Sequence, residues 1–93
     1  MQPAHTRIFG TGFVTGEILV KNEAMARICE TSDAWIRERS GIEQRYFVED
    51  GTTTSDLAVR ASHKALADAG LTAQDIDYIV VATMTPDYYF PGV

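Results

Sequence analysis

The stretch Tyr78–Met84 constrains the fold of this chain more than any other. It is almost continuously apolar and β-prone, which predicts a strand that is buried on both faces, inside a parallel sheet covered by helices. A chain of 93 residues with few other strand-like stretches cannot supply both the neighbouring strands and the covering helices. We therefore expect the chain to be the N-terminal part, or the ordered part, of a larger α/β protein.

Three further stretches predict extended structure. Residues 7–14 predict a strand that is interrupted by Gly10-Thr11-Gly12, and glycines within a strand mark a bulge or a close approach of the backbone. Residues 17–20 predict a loop or a second short strand, and residues 45–48 predict another short strand.

A short helix is predicted after Asn22, and a long helix is predicted after Thr53. Asn22 is expected to cap a short first helix, on which three apolar residues share the spacing of a buried stripe: Met25, Ile28 and Cys29. Thr53-x-x-Asp56 resembles a capping box and opens the longest helix, which we expect to run to about Ala69 and to stop at Gly70. Its small residues form a stripe that permits close packing on a neighbouring element: Ala58, Ala61, Ala65 and Ala69.

The stretch Thr31–Gly41 predicts a helix over about residues 33–40 and carries the main functional hypothesis. Thr31 or Ser32 is suited to cap the helix, and Gly41 suits its end. Trp35 and Arg39 are four residues apart and share a face. An aromatic ring one turn from a guanidinium can stack on a planar base and hold a phosphate. The alternative is an ordinary cation–π pair at the surface.

Composition excludes several classes of function. The net charge of −5 argues against a general nucleic-acid binder. No apolar run approaches the roughly 18 to 20 residues of a membrane span, and the start of the chain lacks a signal-peptide pattern. The single cysteine, Cys29, excludes an internal disulfide framework and fits a reducing cytoplasm. Half of the eight basic residues lie close together in the sequence, which allows either a local anion site or a solvated helix face: Arg27, Arg37, Arg39 and Arg45.

No catalytic or metal site is predicted. Gly10-Thr11-Gly12 lacks the third glycine of a dinucleotide fingerprint, because position 15 is Thr. Cys29 is expected to be a buried core residue, and neither His5 nor His63 has a partner at metal-ligand spacing. The aromatic run that ends at Phe90 follows a predicted buried strand. Three roles for it are open: part of a ligand site, a subunit contact, or packing on its own domain.

Six stretches resemble, in order, the N-terminal part of β-ketoacyl-acyl-carrier-protein synthase III, a condensing enzyme of the thiolase superfamily. The block T-S-D-x-W-I-x-x-R-x-G-I is quite specific to these enzymes and their close relatives. The matching stretches are Ile8-Phe9-Gly10-Thr11-Gly12, Thr31-Ser32-Asp33-Ala34-Trp35-Ile36, Arg39-Ser40-Gly41-Ile42, Asp68-Ala69-Gly70-Leu71, Ile79-Val80-Val81-Ala82-Thr83 and Phe90-Pro91.

The resemblance implies a thiolase-like, five-layered α-β-α-β-α fold, in which residues 1–93 are the first part of the N-terminal half. It implies that Thr31, Trp35 and Arg39 bind coenzyme A: the tryptophan stacks on adenine, the threonine approaches the base and the arginine meets a phosphate. It implies that Phe90 lies at a dimer interface and reaches towards the partner's acyl pocket, where it helps to set primer length.

The activity implied is that of a cytoplasmic, homodimeric acyltransferase with a ping-pong mechanism. A cysteine takes an acyl group from acyl-CoA, which is a substrate and not a cofactor, and the decarboxylation of malonyl-acyl-carrier protein supplies the attacking carbanion. The family's catalytic cysteine, histidine and asparagine have no counterpart among these 93 residues, and no nucleic acid or membrane is implied as a partner.

Two departures from the family pattern bear on the loops. Residues 13–16, Phe-Val-Thr-Gly, replace a run that usually contains proline, and residues 85–89 are bulkier than those that usually precede Phe90. The alternatives are a polyketide or alkylquinolone starter synthase, a hydroxymethylglutaryl-CoA-synthase-type relative, or a non-enzymatic binding or structural fragment.

Overall fold

The computed structural model describes residues 4–91. Within that range, no helix is long and apolar enough to cross a membrane. The chain divides into two compact units: the hairpin unit, Thr15–Thr52, and the helix unit, formed by the described residues on either side of it. The elements in chain order are β1 (Ile18–Lys21), α1 (Asn22–Met25), α2 (Asp33–Ser40), β2 (Gln44–Phe47), α3 (Thr54–Ala69) and a short 3-10 turn (Ala73–Asp75).

The hairpin unit is built on the antiparallel pair β1–β2. Ile18 pairs with Phe47 and Lys21 pairs with Gln44 at the two ends of the ladder. Both strands are rich in the β-branched, aromatic and other apolar residues that favour a pleated surface. Gly16 allows the chain to enter β1, because a Cβ at that position would lie 2.3 Å from the carbonyl oxygen of Phe47. The two short strands predicted here are confirmed within one residue at each end.

The predictions for α1 are wrong in two respects. Asn22 is the first residue of the helix, and the N-cap position is Lys21, whose side chain makes no capping bond. The predicted buried stripe is absent because α1 ends at Met25, before its periodicity can bring the other two residues onto the same face. Ile28 is 68% exposed, and the exposed Cys29 donates from Sγ to the carbonyl oxygen of Met25 over 3.3 Å.

Helix α3 begins and ends where its capping signals predict. The hydroxyl of Thr53 accepts from the backbone N–H of Asp56 at 3.2 Å, and the Asp56 carboxylate accepts from the backbone N–H of Thr53 at 2.9 Å. These two bonds satisfy donors that would otherwise be left free in the first turn. At the other end, Gly70 adopts φ +71°, the left-handed conformation that ends many helices.

The Gly10-Thr11-Gly12 stretch lies directly against the alanine stripe of α3. A Cβ built on Gly10 would lie 2.6 Å from the backbone N of Ala69, and one built on Gly12 would lie 2.6 Å from that of Ala65. The backbone N–H of Thr11 also donates to the Asp68 carboxylate at 3.0 Å. Of the two alternatives for these glycines, a bulge or a close backbone approach, the structure has the close approach, and its partner is the helix.

The two strands predicted in the helix unit do not form ladders among residues 4–91, so both predictions are corrected. A strand is completed by hydrogen bonds to a neighbour, and no described segment pairs with residues 7–14 or 78–84. Apolar side chains of residues 78–84 are exposed to solvent: Tyr78 is 84% and Val80 is 81% exposed. No hydrophobic side chain in the described range is buried.

Candidate functional site

Local capping determines the bounds of α2 and places Trp35. The Ser32 hydroxyl accepts from the backbone N–H of Trp35 at 3.1 Å, so Ser32, and not Thr31, is the cap. At the C-terminal end, Gly41 adopts φ +74° and its N–H donates to the carbonyl oxygen of Arg37 at 2.9 Å. The predicted helix over residues 33–40 is confirmed, and its cap bonds directly to the backbone of the tryptophan.

Trp35 and Arg39 form the pair predicted from their spacing. The guanidinium carbon of Arg39 lies 5.3 Å from the centroid of the Trp35 ring, within the range of a cation–π contact. Trp35 is 55% exposed, and Arg39 is also exposed. Within the described part of the chain, Arg39 makes no ion pair. An aromatic surface and an uncompensated positive charge are therefore presented together to solvent.

Thr31 lies just before the cap and has a different environment. The residue is partly buried, and its Oγ1 atom is covered but has no hydrogen-bond partner in the part of the chain that the structure describes. A buried hydroxyl without a partner costs about 1 to 3 kcal/mol. Thr31 therefore has an unused hydrogen-bonding group four positions before Trp35 in the sequence.

Arg37 belongs to the same helix as Arg39 but is already paired. Its Nε donates to both carboxylate oxygens of Asp33, at 2.8 and 2.9 Å, and its Nη1 donates to Glu43 at 2.9 Å. Hydrogen bonding from Arg37, and then from Asn22, holds the pKa of Asp33 below its ordinary value of 3.8. The same hydrogen bond to Asp33 raises the pKa of Arg37.

Asn22 is the one fully buried residue in the described range, and its role was not predicted from the sequence. Its Nδ2 donates to Asp33 Oδ1 and to the carbonyl oxygen of Ile42, each at 2.8 Å. Its Oδ1 accepts from Arg45 Nη2 at 2.7 Å. An asparagine ahead of a helical pattern ordinarily indicates a cap, so the only local hint of this cluster was the i, i+4 spacing of Asp33 and Arg37.

These contacts assign three of the four arginines that lie close together in the sequence. Arg37 and Arg45 are held by the cluster around Asn22, whereas Arg39 contacts the Trp35 ring. Of these three arginines, Arg39 is the one whose charge is not paired with a carboxylate or an amide in the described part of the chain.

Phe90 lies in the helix unit, whereas Thr31, Trp35 and Arg39 lie in the hairpin unit. It is 93% exposed, and Tyr89 beside it is 91% exposed. The segment before them is tied to the start of α3, where Ser55 donates from its backbone N–H and its hydroxyl to the carboxylate of Asp87. Among residues 4–91, no cluster of three or more His, Cys, Asp or Glu side chains could hold a metal ion.

Comparison with known proteins gives consistent matches to one group of enzymes, although no family model matches the chain. β-Ketoacyl-[acyl-carrier-protein] synthase III of Xanthomonas campestris pv. campestris is 53% identical over 88 residues, which cover 95% of this chain and 27% of that enzyme. The crystal structure of 3-oxoacyl-[acyl-carrier-protein] synthase III from Aquifex aeolicus VF5 superimposes with a TM-score of 0.86 at 35% identity, over 95% of this chain and 28% of its own.

A priming β-ketosynthase of the R1128 polyketide pathway is similar in backbone, with a TM-score of 0.85 at 33% identity, over 91% of this chain and 25% of its own. The chain thus spans about a quarter of the length of the proteins it matches. The resemblance and the thiolase-like α/β fold predicted from the motifs are confirmed: in sequence and in backbone, this chain matches a segment of the β-ketoacyl-acyl-carrier-protein synthase III enzymes.

Proposed function

We propose that the chain forms part of a β-ketoacyl-acyl-carrier-protein synthase III. This acyltransferase would condense an acyl-CoA primer with malonyl-acyl-carrier protein, with loss of carbon dioxide, and so initiate fatty-acid synthesis. The identity of 53% over 88 residues to an enzyme of that name supports the assignment. A cytoplasmic homodimer, in which Phe90 helps to shape the partner's acyl pocket, belongs to the same proposal.

Within that enzyme, α2 would bind the nucleotide end of coenzyme A. The observation that carries this is the exposed Trp35 ring with the Arg39 guanidinium 5.3 Å from its centroid. The ring offers adenine a stacking surface, and the guanidinium offers a phosphate hydrogen bonds and charge. The unpaired Thr31 hydroxyl would gain a partner by turning towards the base.

In the proposed enzyme, substrate binding by this chain is separate from the acyl-transfer chemistry. This chain would hold the nucleotide end of the substrate, while the acyl group is transferred to a cysteine elsewhere in the enzyme and free coenzyme A leaves. The carbanion formed from the malonyl group by loss of carbon dioxide would then attack the enzyme thioester and expel the cysteine thiolate. Acyl-CoA is consumed as a substrate, and the proposal requires no resident cofactor.

The test is the coenzyme A affinity of the Trp35→Ala variant of the complete enzyme, measured by calorimetry. Loss of base stacking should weaken binding by about 1 to 3 kcal/mol, which is roughly a 5- to 150-fold rise in Kd. Trp35→Phe should lose less, because it retains an aromatic face. Arg7→Ala is a matched control, since it removes a second cation–π pair, with Phe9 at 5.0 Å, from the helix unit. An unchanged Kd for Trp35→Ala would refute the stacking role.

A starter synthase of polyketide assembly is the second candidate, favoured by the backbone match to the R1128 priming enzyme. Such an enzyme would differ in its primer, and the bulky stretch before Phe90 lies where primer choice is proposed to be made. Rates with a series of acyl-CoA primers and malonyl-acyl-carrier protein would separate the two. A preference for acetyl-CoA supports the fatty-acid assignment, and a preference for a longer or unusual primer supports the alternative.

A further inference from the structure

We propose that Asn22 is a positioning residue for acyl-CoA, which acts by holding the start of α2 in the orientation that presents Trp35 and Arg39. The inference rests on the proposed coenzyme A site. Asn22 contacts neither of those two side chains, so its effect would pass through the backbone of α2 and through Asp33.

The first support is that the side chain of Asn22 is almost completely used. An asparagine amide has two N–H donors and an acceptor oxygen. Both donors are occupied, by Asp33 Oδ1 and by the carbonyl oxygen of Ile42, and the oxygen accepts from Arg45. The backbone N–H of Asn22 donates to the carbonyl oxygen of Glu43 at 3.2 Å. One buried residue therefore joins α1, the first residue of α2, the turn after α2, and β2.

The second support is that α2 has few other constraints. It has eight residues, and none of them is buried. A helix this short is marginal on its own and normally depends on tertiary packing. No residue of α2 is buried, so side-chain bonds link this helix to its neighbours: Asp33 accepts from Asn22 of α1, and Arg37 donates to Glu43, just before β2. Asp33 lies two residues before Trp35, so a shift at Asp33 moves the tryptophan with it.

A purely structural role makes a different prediction, which ping-pong kinetics can distinguish. In such a mechanism, kcat/KM for each substrate reports only its own half-reaction. Loss of folded enzyme would lower kcat/KM for acyl-CoA and for malonyl-acyl-carrier protein by the same factor. Loss of α2 positioning would lower only the value for acyl-CoA.

The experiment uses the Asn22→Ala variant of the complete enzyme. We expect kcat/KM for acyl-CoA to fall by roughly tenfold, because small misplacements of binding groups cost one to two orders of magnitude. The value for malonyl-acyl-carrier protein should stay within about twofold. With an acyl-pantetheine donor, which lacks the nucleotide, the variant and the parent enzyme should be equal. In the Trp35→Ala background, Asn22→Ala should add little, since the two changes act on one contact.

Two further variants keep the test decisive. Thr53→Ala removes the cap of α3 in the helix unit, so it provides a destabilised enzyme in which α2 is untouched and the two kcat/KM values should keep their ratio. If Asn22→Ala does not accumulate as folded protein, Arg45→Met removes only the donor to Asn22 Oδ1 and should shift the same ratio by a smaller factor.

The outcomes separate the two proposals. Equal losses in both half-reactions, or an equal loss with acyl-pantetheine, would overturn the positioning role of Asn22. If Trp35→Ala lowers kcat/KM for acyl-CoA and Asn22→Ala does not, the inference alone fails. If Trp35→Ala has no effect, the proposed coenzyme A site fails and the inference fails with it.

Discussion

Different kinds of contact stabilise the interior of the hairpin unit and the interior of the helix unit. In the hairpin unit, a buried amide and two arginines form hydrogen bonds that join the strands to the helices. In the helix unit, the main contact is backbone against small side chains, where Gly10 and Gly12 lie against the alanines of α3. The first arrangement depends on directional bonds, and the second depends on the absence of side-chain volume.

The two units also differ in how completely their polar groups are hydrogen-bonded and their apolar surfaces are covered. The polar groups around Asn22 find partners within the hairpin unit. The helix unit leaves an apolar groove open, lined on one side by α3 residues such as Leu66 and on the other by residues such as Ile79. Burial of apolar area contributes about 25 cal/mol per Å², so covering this groove would add substantially to the stability of the helix unit.

The largest expected effect comes from adding volume between Gly12 and α3. A Cβ at this position would lie 2.6 Å from the backbone N of Ala65 and 2.7 Å from the carbonyl oxygen of Ala61. Because neither backbone atom can move independently of the helix, Gly12→Val should cost about 3 kcal/mol or more. Urea unfolding of the complete protein measures the loss. Thr11→Ala is the matched control, since Thr11 bonds to Asp68 through its backbone N–H; an equal loss in both variants would contradict the packing account.

A smaller effect is expected from removing the α3 cap. Thr53→Ala loses the hydroxyl that accepts from Asp56 N–H and should lower the free energy of unfolding by about 1 kcal/mol. Thr53→Ser should restore most of it, because serine retains the acceptor. The corresponding change in the hairpin unit, Ser32→Ala, should lose a similar amount and also weaken coenzyme A binding, because Ser32 bonds to the backbone of Trp35. Loss of coenzyme A affinity in Thr53→Ala would contradict the expectation that the α3 cap affects only stability, while the α2 cap also affects coenzyme A binding.

The smallest effect is a pH dependence that arises at Asp33. Its pKa is lower in the folded protein than its ordinary value of 3.8, so the folded state favours the ionised carboxyl. The stabilisation is therefore complete above pH 3.8 and is lost as the pH falls through the lower, folded-state pKa. Unfolding midpoints of the parent and of Asp33→Asn, compared from neutral to acid pH, should converge at the acid end. If the difference in unfolding midpoint between the two proteins widened below pH 3.8, the predicted direction of the pH dependence would be wrong.

The boundaries of α2 and α3 were the part of the fold most fully predicted from sequence. Helices α2 and α3 begin and end where Ser32, Thr53, Gly41 and Gly70 place them, because caps satisfy backbone groups through residues only a few positions away. The Trp35–Arg39 contact was predicted for the same reason, since residues four apart on a helix are neighbours.

The errors have two sources, which are partners that are distant or missing and a helix that is shorter than its sequence pattern. Asn22 was assigned to a local cap, but its partners lie 11 to 23 positions away. The stripe ending at Cys29 was predicted from a periodicity that α1 is too short to sustain. The strand at Tyr78–Met84 has the composition of a buried strand, but a strand is completed by neighbours, and residues 4–91 provide none.

The sequence by itself determined local features of this protein: the caps of α2 and α3, the face shared by Trp35 and Arg39, and the glycines that allow close approach to α3. It also carried the motifs by which the chain matches synthase III enzymes. Only the tertiary structure decided which arginine is available to a ligand and which is held in the cluster around Asn22. Arg37 and Arg39 have the same chemistry, and each has a local partner four residues earlier, Asp33 and Trp35. Only the fold brings Glu43 to Arg37 and Asn22 to Asp33, and these non-local bonds separate the two arginines.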